Sequence, residues 1–146
     1  MDQPFSFELL AQNDYAPGQP IRVSFRLHNN GPRDAWVLTW YTPLEGIKGK
    51  IFDVTCSGQP VAYEGRLMKR GNPTADDYIH LGAGETASAE VDLAQAYQLR
   101  SCDPCVVRFS GALNDVVWEE RQLPRIQDQH QQVSVKGNTI SFHVGA

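Results

Sequence analysis

The sequence predicts an all-β protein, an antiparallel β-sandwich of about seven to nine strands with one short helical turn. Apolar and polar residues alternate along most of the chain, as they do in strands that bury one face. Turn-forming residues separate these stretches, and the chain holds 12 glycines and 9 prolines. Only one stretch has a helical pattern. The length of 146 residues fits one domain, residues 1–146.

The alternation places each element in order. The clearest strand is 21–28, where Ile21, Val23, Phe25 and Leu27 alternate with polar residues. The helical turn falls at 93–99, and the Gln-rich, charged stretch 114–137 is predicted to be a long exposed loop. The predicted strands are 5–9, 21–28, 35–41, 50–56, 60–63, 78–81, 86–93, 105–111 and 139–144.

Two sheets would share a core made of the apolar faces of these strands. Trp36 and Trp40 have the same parity as Leu38 on their strand, which is typical of core residues. The predicted core consists of Phe25, Leu27, Trp36, Trp40, Phe52, Val91, Val107, Phe109 and Phe142.

Charge and hydropathy exclude two classes of partner. The formal net charge of −4 and the scattered basic residues argue against nucleic-acid binding. No run approaches the roughly 18 apolar residues of a membrane span. The start, residues 1–4, lacks the features of a signal peptide. We therefore expect a cytoplasmic protein, or a secreted or periplasmic one whose signal was removed, and a monomer in either case.

No residue constellation points to catalysis. The chain has no His-Glu-x-x-His motif, no nucleophile elbow and no phosphate-binding loop. His28 and His143 occupy polar strand positions, and His130 is expected to be solvated in the long loop. We expect no catalytic residue, no metal site and no cofactor, so the protein is predicted not to be an enzyme.

Cys102 and Cys105 form a Cys-x-x-Cys motif with three interpretations: a redox pair, half of a zinc site, or a local disulfide that closes a turn. Pro104 favours a structural turn or a disulfide that closes that turn. Cys56 is then a third, unpaired cysteine, and its strand position predicts a buried, inert thiol.

Several stretches also resemble a known family. The most specific is Lys-Arg-Gly-x-Pro-Thr-x-x-Asp-Tyr at 69–78, and the others lie at 42–46, 52–55, 63–68, 81–85, 89–97 and 137–142. Together they resemble the N-terminal pro-domain of the deuterolysin-like aspzincin metallopeptidases, the group that includes peptidyl-Lys endopeptidases. The likeness runs from about residue 15 to residue 144. The Cys-x-x-Cys motif departs from it, since that family more often has Gly or Lys-Pro-Gly there.

The resemblance implies an immunoglobulin-like sandwich that assists the folding of a zinc metallopeptidase and blocks its cleft. Since the chain lacks the metal-binding motif of such an enzyme, we expect a non-catalytic inhibitor or propeptide-like domain whose partner is an aspzincin peptidase. The segment 65–77 is the best candidate contact, with Pro73 stiffening it and Lys69 resembling the side chain that a Lys-specific protease binds. Trp118 and the 123–125 segment form a second surface, since an aromatic residue beside an arginine suits an interface. The candidate partner-binding residues are Arg66, Lys69, Arg70, Asn72, Asp76, Trp118 and Arg125.

Other hypotheses stay open from the residues alone. The 65–77 motif could brace the fold instead, with Tyr63 and Tyr78 buried and Asp76 or Asp77 paired with Arg70. The domain could also be a general protein-binding or carbohydrate-binding module that uses Trp36, Trp40 or Trp118. A further alternative is a redox-responsive protein that acts through Cys102 and Cys105.

Overall fold

Twelve β-strands and five single 3-10 turns form the regular structure of the chain, for which a computed structural model describes residues 4–146. The prediction of an all-β sandwich is confirmed. The strands are β1 (Phe5–Leu10), β2 (Asp14–Tyr15), β3 (Arg22–Asn29), β4 (Ala35–Leu38), β5 (Phe52–Cys56), β6 (Gln59–Pro60), β7 (Tyr78–Leu81), β8 (Thr86–Asp92), β9 (Cys102–Phe109), β10 (Val116–Val117), β11 (Lys136–Gly137) and β12 (Ile140–Val144). The 3-10 turns are Pro43–Glu45, Ala75–Asp77, Leu93–Gln95, Glu120–Gln122 and Gln127–Gln129.

The strands form three sheets. Their orders are β11-β1-β3-β8, β10-β4-β7 and β2-β12-β9-β5-β6. Most neighbours are antiparallel, as predicted, but β1 pairs with β11 and β12 pairs with β2 in parallel. Both exceptions involve a two-residue strand. They add short edges to the two larger sheets.

Alternation along β3 explains how the two larger sheets come to share a core. Val23, Phe25 and Leu27 are completely buried, while the residues between them lie on the outer face. Phe25 and Phe7 of the first sheet pack against Phe109 of the five-stranded sheet. Their ring centroids lie 5.4 and 5.3 Å, respectively, from that of Phe109. Phe52 joins them from β5, 6.1 Å from Phe109. These aromatic rings connect the two layers and account for much of the buried apolar surface.

The predicted position of two tryptophans in this core is wrong. Trp40 and Leu38 belong to a separate small cluster with Tyr78, against which the half-buried Trp36 and Leu123 pack. The shared parity of Trp36, Leu38 and Trp40 was predicted correctly, but their face of the three-stranded sheet points away from the main core. Val37, on the opposite face of β4, packs in the main core instead.

Several element boundaries also differ from the sequence predictions. The helix expected at 93–99 is a single 3-10 turn, Leu93–Gln95, with Asp92 accepting the Ala94 N–H at 2.9 Å. The loop expected at 114–137 contains β10 and β11. These strands have two residues each, so they depend on pairing with distant strands rather than on a local pattern.

The predicted disulfide between Cys102 and Cys105 is wrong, as is the inert free thiol at Cys56. Cys56 and Cys102 form the disulfide, with their Cα atoms 4.8 Å apart, and Cys105 is a buried free thiol. Strand β9 begins at Cys102, so the two cysteines of the motif lie on one extended segment. Cys102 is bonded across the sheet to Cys56 on β5, which leaves Cys105 without a disulfide partner.

Candidate functional site

The long loop, residues 61–77 between β6 and β7, contains most of the candidate binding residues. Its first half is fixed by two hydrogen bonds: the Glu64 N–H donates to the Ala96 carbonyl at 2.8 Å, and the Tyr63 hydroxyl donates to the Arg66 carbonyl. The Tyr63 ring lies directly over Gly65, where a Cβ would approach within 2.6 Å of the hydroxyl oxygen. Glycine is therefore required for this close contact, unless the ring moves.

The second half of the long loop is fixed by other segments. The Tyr41 hydroxyl donates to the Met68 carbonyl at 3.4 Å. The Gln127 side chain donates to the Arg70 carbonyl at 3.0 Å, and its backbone N–H donates to the Asn72 side-chain oxygen at 2.9 Å. Hydrogen bonds thus hold the backbone on both sides of residue 67, although residues 66–74 contain no strand or helix.

Arg70 is not a free cation, contrary to its predicted role in partner binding. Its Nη2 donates to both carboxylate oxygens of Glu45, at 2.9 and 2.8 Å. The two side chains are only 10% and 9% exposed. The guanidinium also lies over the rings of Trp40 and Tyr41, 4.6 and 4.8 Å from their centroids. Its Nε is buried and lacks a hydrogen-bond partner within residues 4–146. Arg70 therefore braces the long loop.

The expected bracing by Asp76 or Asp77 is also different. Asp76 is exposed, and Asp77 accepts the backbone N–H of Thr74 at 2.8 Å, which caps the 3-10 turn. The carboxylate that pairs with Arg70 is that of Glu45, 25 residues away in sequence. No local spacing in the sequence connects the two residues.

Arg125 is likewise occupied inside the protein. Its Nε donates to Asp115 Oδ2 at 2.9 Å, and the Asp115 side chain has no exposed surface. The Tyr78 hydroxyl donates to the same oxygen at 2.7 Å, and the Gln131 N–H donates to the other at 3.2 Å. Burial alone would raise the pKa of Asp115, but these bonds outweigh it and hold the pKa below its ordinary value. This cluster anchors the 114–137 stretch.

His130 was expected to be solvated but is half-buried. Its Nε2 lies 2.8 Å from the Arg125 carbonyl oxygen, and its ring packs edge-on against Trp40 at 6.4 Å. A cleft of about 270 Å³ is lined by His130, Trp40 and Arg70, among others. Because Arg70 lies over Trp40, the cleft does not present that ring as a flat platform.

The other two tryptophans are also covered on one face. Trp118 stacks on Phe5 at 5.9 Å, and the Arg33 guanidinium lies 5.0 Å from its ring centroid. Trp36 stacks on His80 at 4.8 Å. Each of these two rings therefore has at most one face left for a ligand.

The tip of the long loop, residues 66–69, keeps exposed side chains. Arg66 and Lys69 are exposed, and neither forms an ion pair within residues 4–146. Leu67, which sequence reasoning missed, is 81% exposed. The sequence signal that could have identified Leu67 is an apolar residue between cations, in a stretch without strand or helix periodicity.

In residues 4–146, no group of three or more His, Cys, Asp or Glu side chains is placed to hold a metal ion. The same residues include no helix of sufficient length and hydropathy to cross a membrane.

Comparison with known proteins finds a similar stretch in a longer protein. The chain is 32% identical over 89 residues to an extracellular protease of Aeromonas hydrophila. The match covers 61% of this chain but only 25% of that protease, so the chain spans about a quarter of the length of its curated relative. No family model matches the chain. The chain is therefore similar to one part of an extracellular protease.

Proposed function

We propose that this chain is a non-catalytic, propeptide-like domain that binds and blocks an extracellular protease. The observation that carries the proposal is the similarity to a quarter of such a protease, together with the braced loop that exposes a leucine and two cations. A protein can block a cleft without being cleaved when its contact loop is held in place before binding. Ordering of such a loop then costs little free energy on association.

The protease partner proposed here is a zinc metallopeptidase of the aspzincin group. This choice follows from the resemblance of residues 69–78 to the pro-domains of that group. We expect the domain to act in an oxidising compartment outside the cytoplasm, because disulfides such as Cys56–Cys102 persist there and the relative is extracellular.

The test is inhibition of purified protease by the purified chain at micromolar concentration. Two proteases serve as targets: the extracellular protease of Aeromonas hydrophila and a peptidyl-Lys aspzincin peptidase. A serine protease is the comparison. We expect reversible inhibition of the first two and none of the third. If the folded chain inhibits neither target, the proposed function is wrong.

A further inference from the structure

The tip of the long loop combines an apolar side chain with cations on a protein whose net charge is −4. Leu67, at 81% exposed, is the most exposed of the large hydrophobic residues in the described chain. Arg66 precedes it and Lys69 follows two positions later, both exposed. Leu67 also lines a groove together with Met68 and Ile51, so it belongs to a larger surface and is not a single isolated apolar side chain.

A groove beside the tip extends this surface. It has a volume of about 510 Å³ and is lined by Lys48, Lys50, Leu67 and Met68 among others. None of the lining residues is acidic, and neither lysine forms an ion pair in residues 4–146. The groove and the tip therefore form one cationic surface around an apolar side chain, which is complementary to an acidic partner.

The backbone of the tip is held from both sides. Before Leu67, the Arg66 carbonyl accepts from the Tyr63 hydroxyl. After it, the Met68 carbonyl accepts from the Tyr41 hydroxyl at 3.4 Å, and the Arg70–Glu45 ion pair fixes the next turn of the chain. The segment has no strand or helix of its own, so it is held without backbone pairing to a sheet. Protease clefts bind such unpaired segments through backbone contacts and side-chain pockets.

We propose that residues 66–69 enter the substrate-binding cleft of the protease partner, with Leu67 in an apolar subsite. Arg66, Lys69 and the two groove lysines face an acidic rim around that subsite. This inference rests on the proposed function and makes it specific. It replaces Lys69 with Leu67 as the side chain that occupies a pocket, and it leaves Lys69 a role in charge attraction.

The experiment measures the inhibition constant of the chain against the Aeromonas hydrophila extracellular protease, first for the unaltered chain. Leu67→Ala is compared with Leu10→Ala, the same change at a leucine that is 37% exposed on β1. We expect Leu67→Ala to weaken inhibition about 10- to 100-fold, the loss expected from removing most of a buried leucine side chain. Leu10→Ala should match the unaltered chain. Thermal unfolding of both variants checks that the fold is intact.

A second arm tests the charges. Arg66→Gln/Lys69→Gln should lower the association rate constant several-fold and make it less sensitive to salt, while changing dissociation little.

The outcomes separate the two proposals. If the unaltered chain does not inhibit, the proposed function fails and this inference fails with it. If the unaltered chain inhibits and Leu67→Ala, correctly folded, inhibits equally well, the proposed function stands and the loop tip is not the contact. Inhibition that does not compete with substrate would also overturn the inference, because an occupied substrate cleft requires competition.

Discussion

Replacing Glu45 by alanine should destabilise the protein far more than an ordinary surface substitution. The change leaves the Arg70 guanidinium about nine-tenths buried and without its anion, since the side chain is 10% exposed. Removal of one partner from a buried ion pair costs about 3–5 kcal/mol. The Tyr41 N–H, which donates to Glu45 Oε2 at 2.6 Å, also loses its acceptor.

That loss is a large fraction of the total stability, which is about 5–15 kcal/mol for a typical domain. For a chain of this length, each kcal/mol lowers the melting temperature by about 2–4 °C, so the expected decrease is about 6–20 °C. Urea unfolding followed by tryptophan fluorescence measures the free energy, and calorimetry measures the melting temperature. Glu64→Ala is the matched control, because Glu64 is exposed on the same loop and its fixing contact is made by its backbone N–H.

The double variant Glu45→Gln/Arg70→Met completes the test. It removes the buried charge as well as its partner, so it should be more stable than Glu45→Ala. A Glu45→Ala variant that loses less than about 1 kcal/mol would refute the reasoning, because that is the value of an exposed ion pair. A double variant no more stable than the single one would show that the cost arises from something other than the unpaired cation.

Three further predictions concern the buried carboxylate and the cysteines. The pKa of Asp115 is lower in the folded protein than its ordinary value of 3.8, so its contribution to the free energy of unfolding is complete above that pH and is lost as pH falls through the lowered pKa. Urea unfolding between pH 2 and 6 should show an acid-dependent loss of stability that is smaller in Asp115→Asn. Cys56→Ser/Cys102→Ser should lower the free energy of unfolding by about 4 kcal/mol, which is the loop-closure entropy that the disulfide removes from the unfolded chain. Denaturant unfolding of both proteins without reductant measures this difference. Burial raises the pKa of the Cys105 thiol to about 11, so a thiol reagent at pH 8 should label it only in denaturant; labelling of the native protein would contradict its burial.

The fold could be predicted because a strand that buries one face must place apolar and polar residues alternately along its sequence. Strand β7 has the predicted bounds, Tyr78–Leu81, and β3 buries the predicted residues. The two-residue strands β10 and β11 have no such pattern. They form by pairing with β4 and β1, which are distant in sequence and become neighbours only in the folded chain.

The candidate site was harder to predict because its ion pairs join distant residues. Arg70 could pair with any of 17 acidic residues, and nothing local identifies Glu45. The prediction of the disulfide was wrong for a different reason. We predicted that the strand begins at Cys105, which left Cys102 in a turn where a local bridge is possible. Because β9 begins at Cys102, the partner is across the sheet, at Cys56 on β5.

These corrections change how the contact surface should be tested. Lys69 and Arg70 are neighbours in sequence and were predicted to act together, but one is exposed and the other is a buried brace. A double substitution of both would destabilise the fold as well as remove an exposed cation, because loss of Arg70 leaves the buried Glu45 carboxylate unpaired. Substitutions at Arg66, Leu67 and Lys69 leave the Arg70–Glu45 ion pair intact. A loss of binding in those variants, with unchanged unfolding, can therefore be assigned to the contact itself.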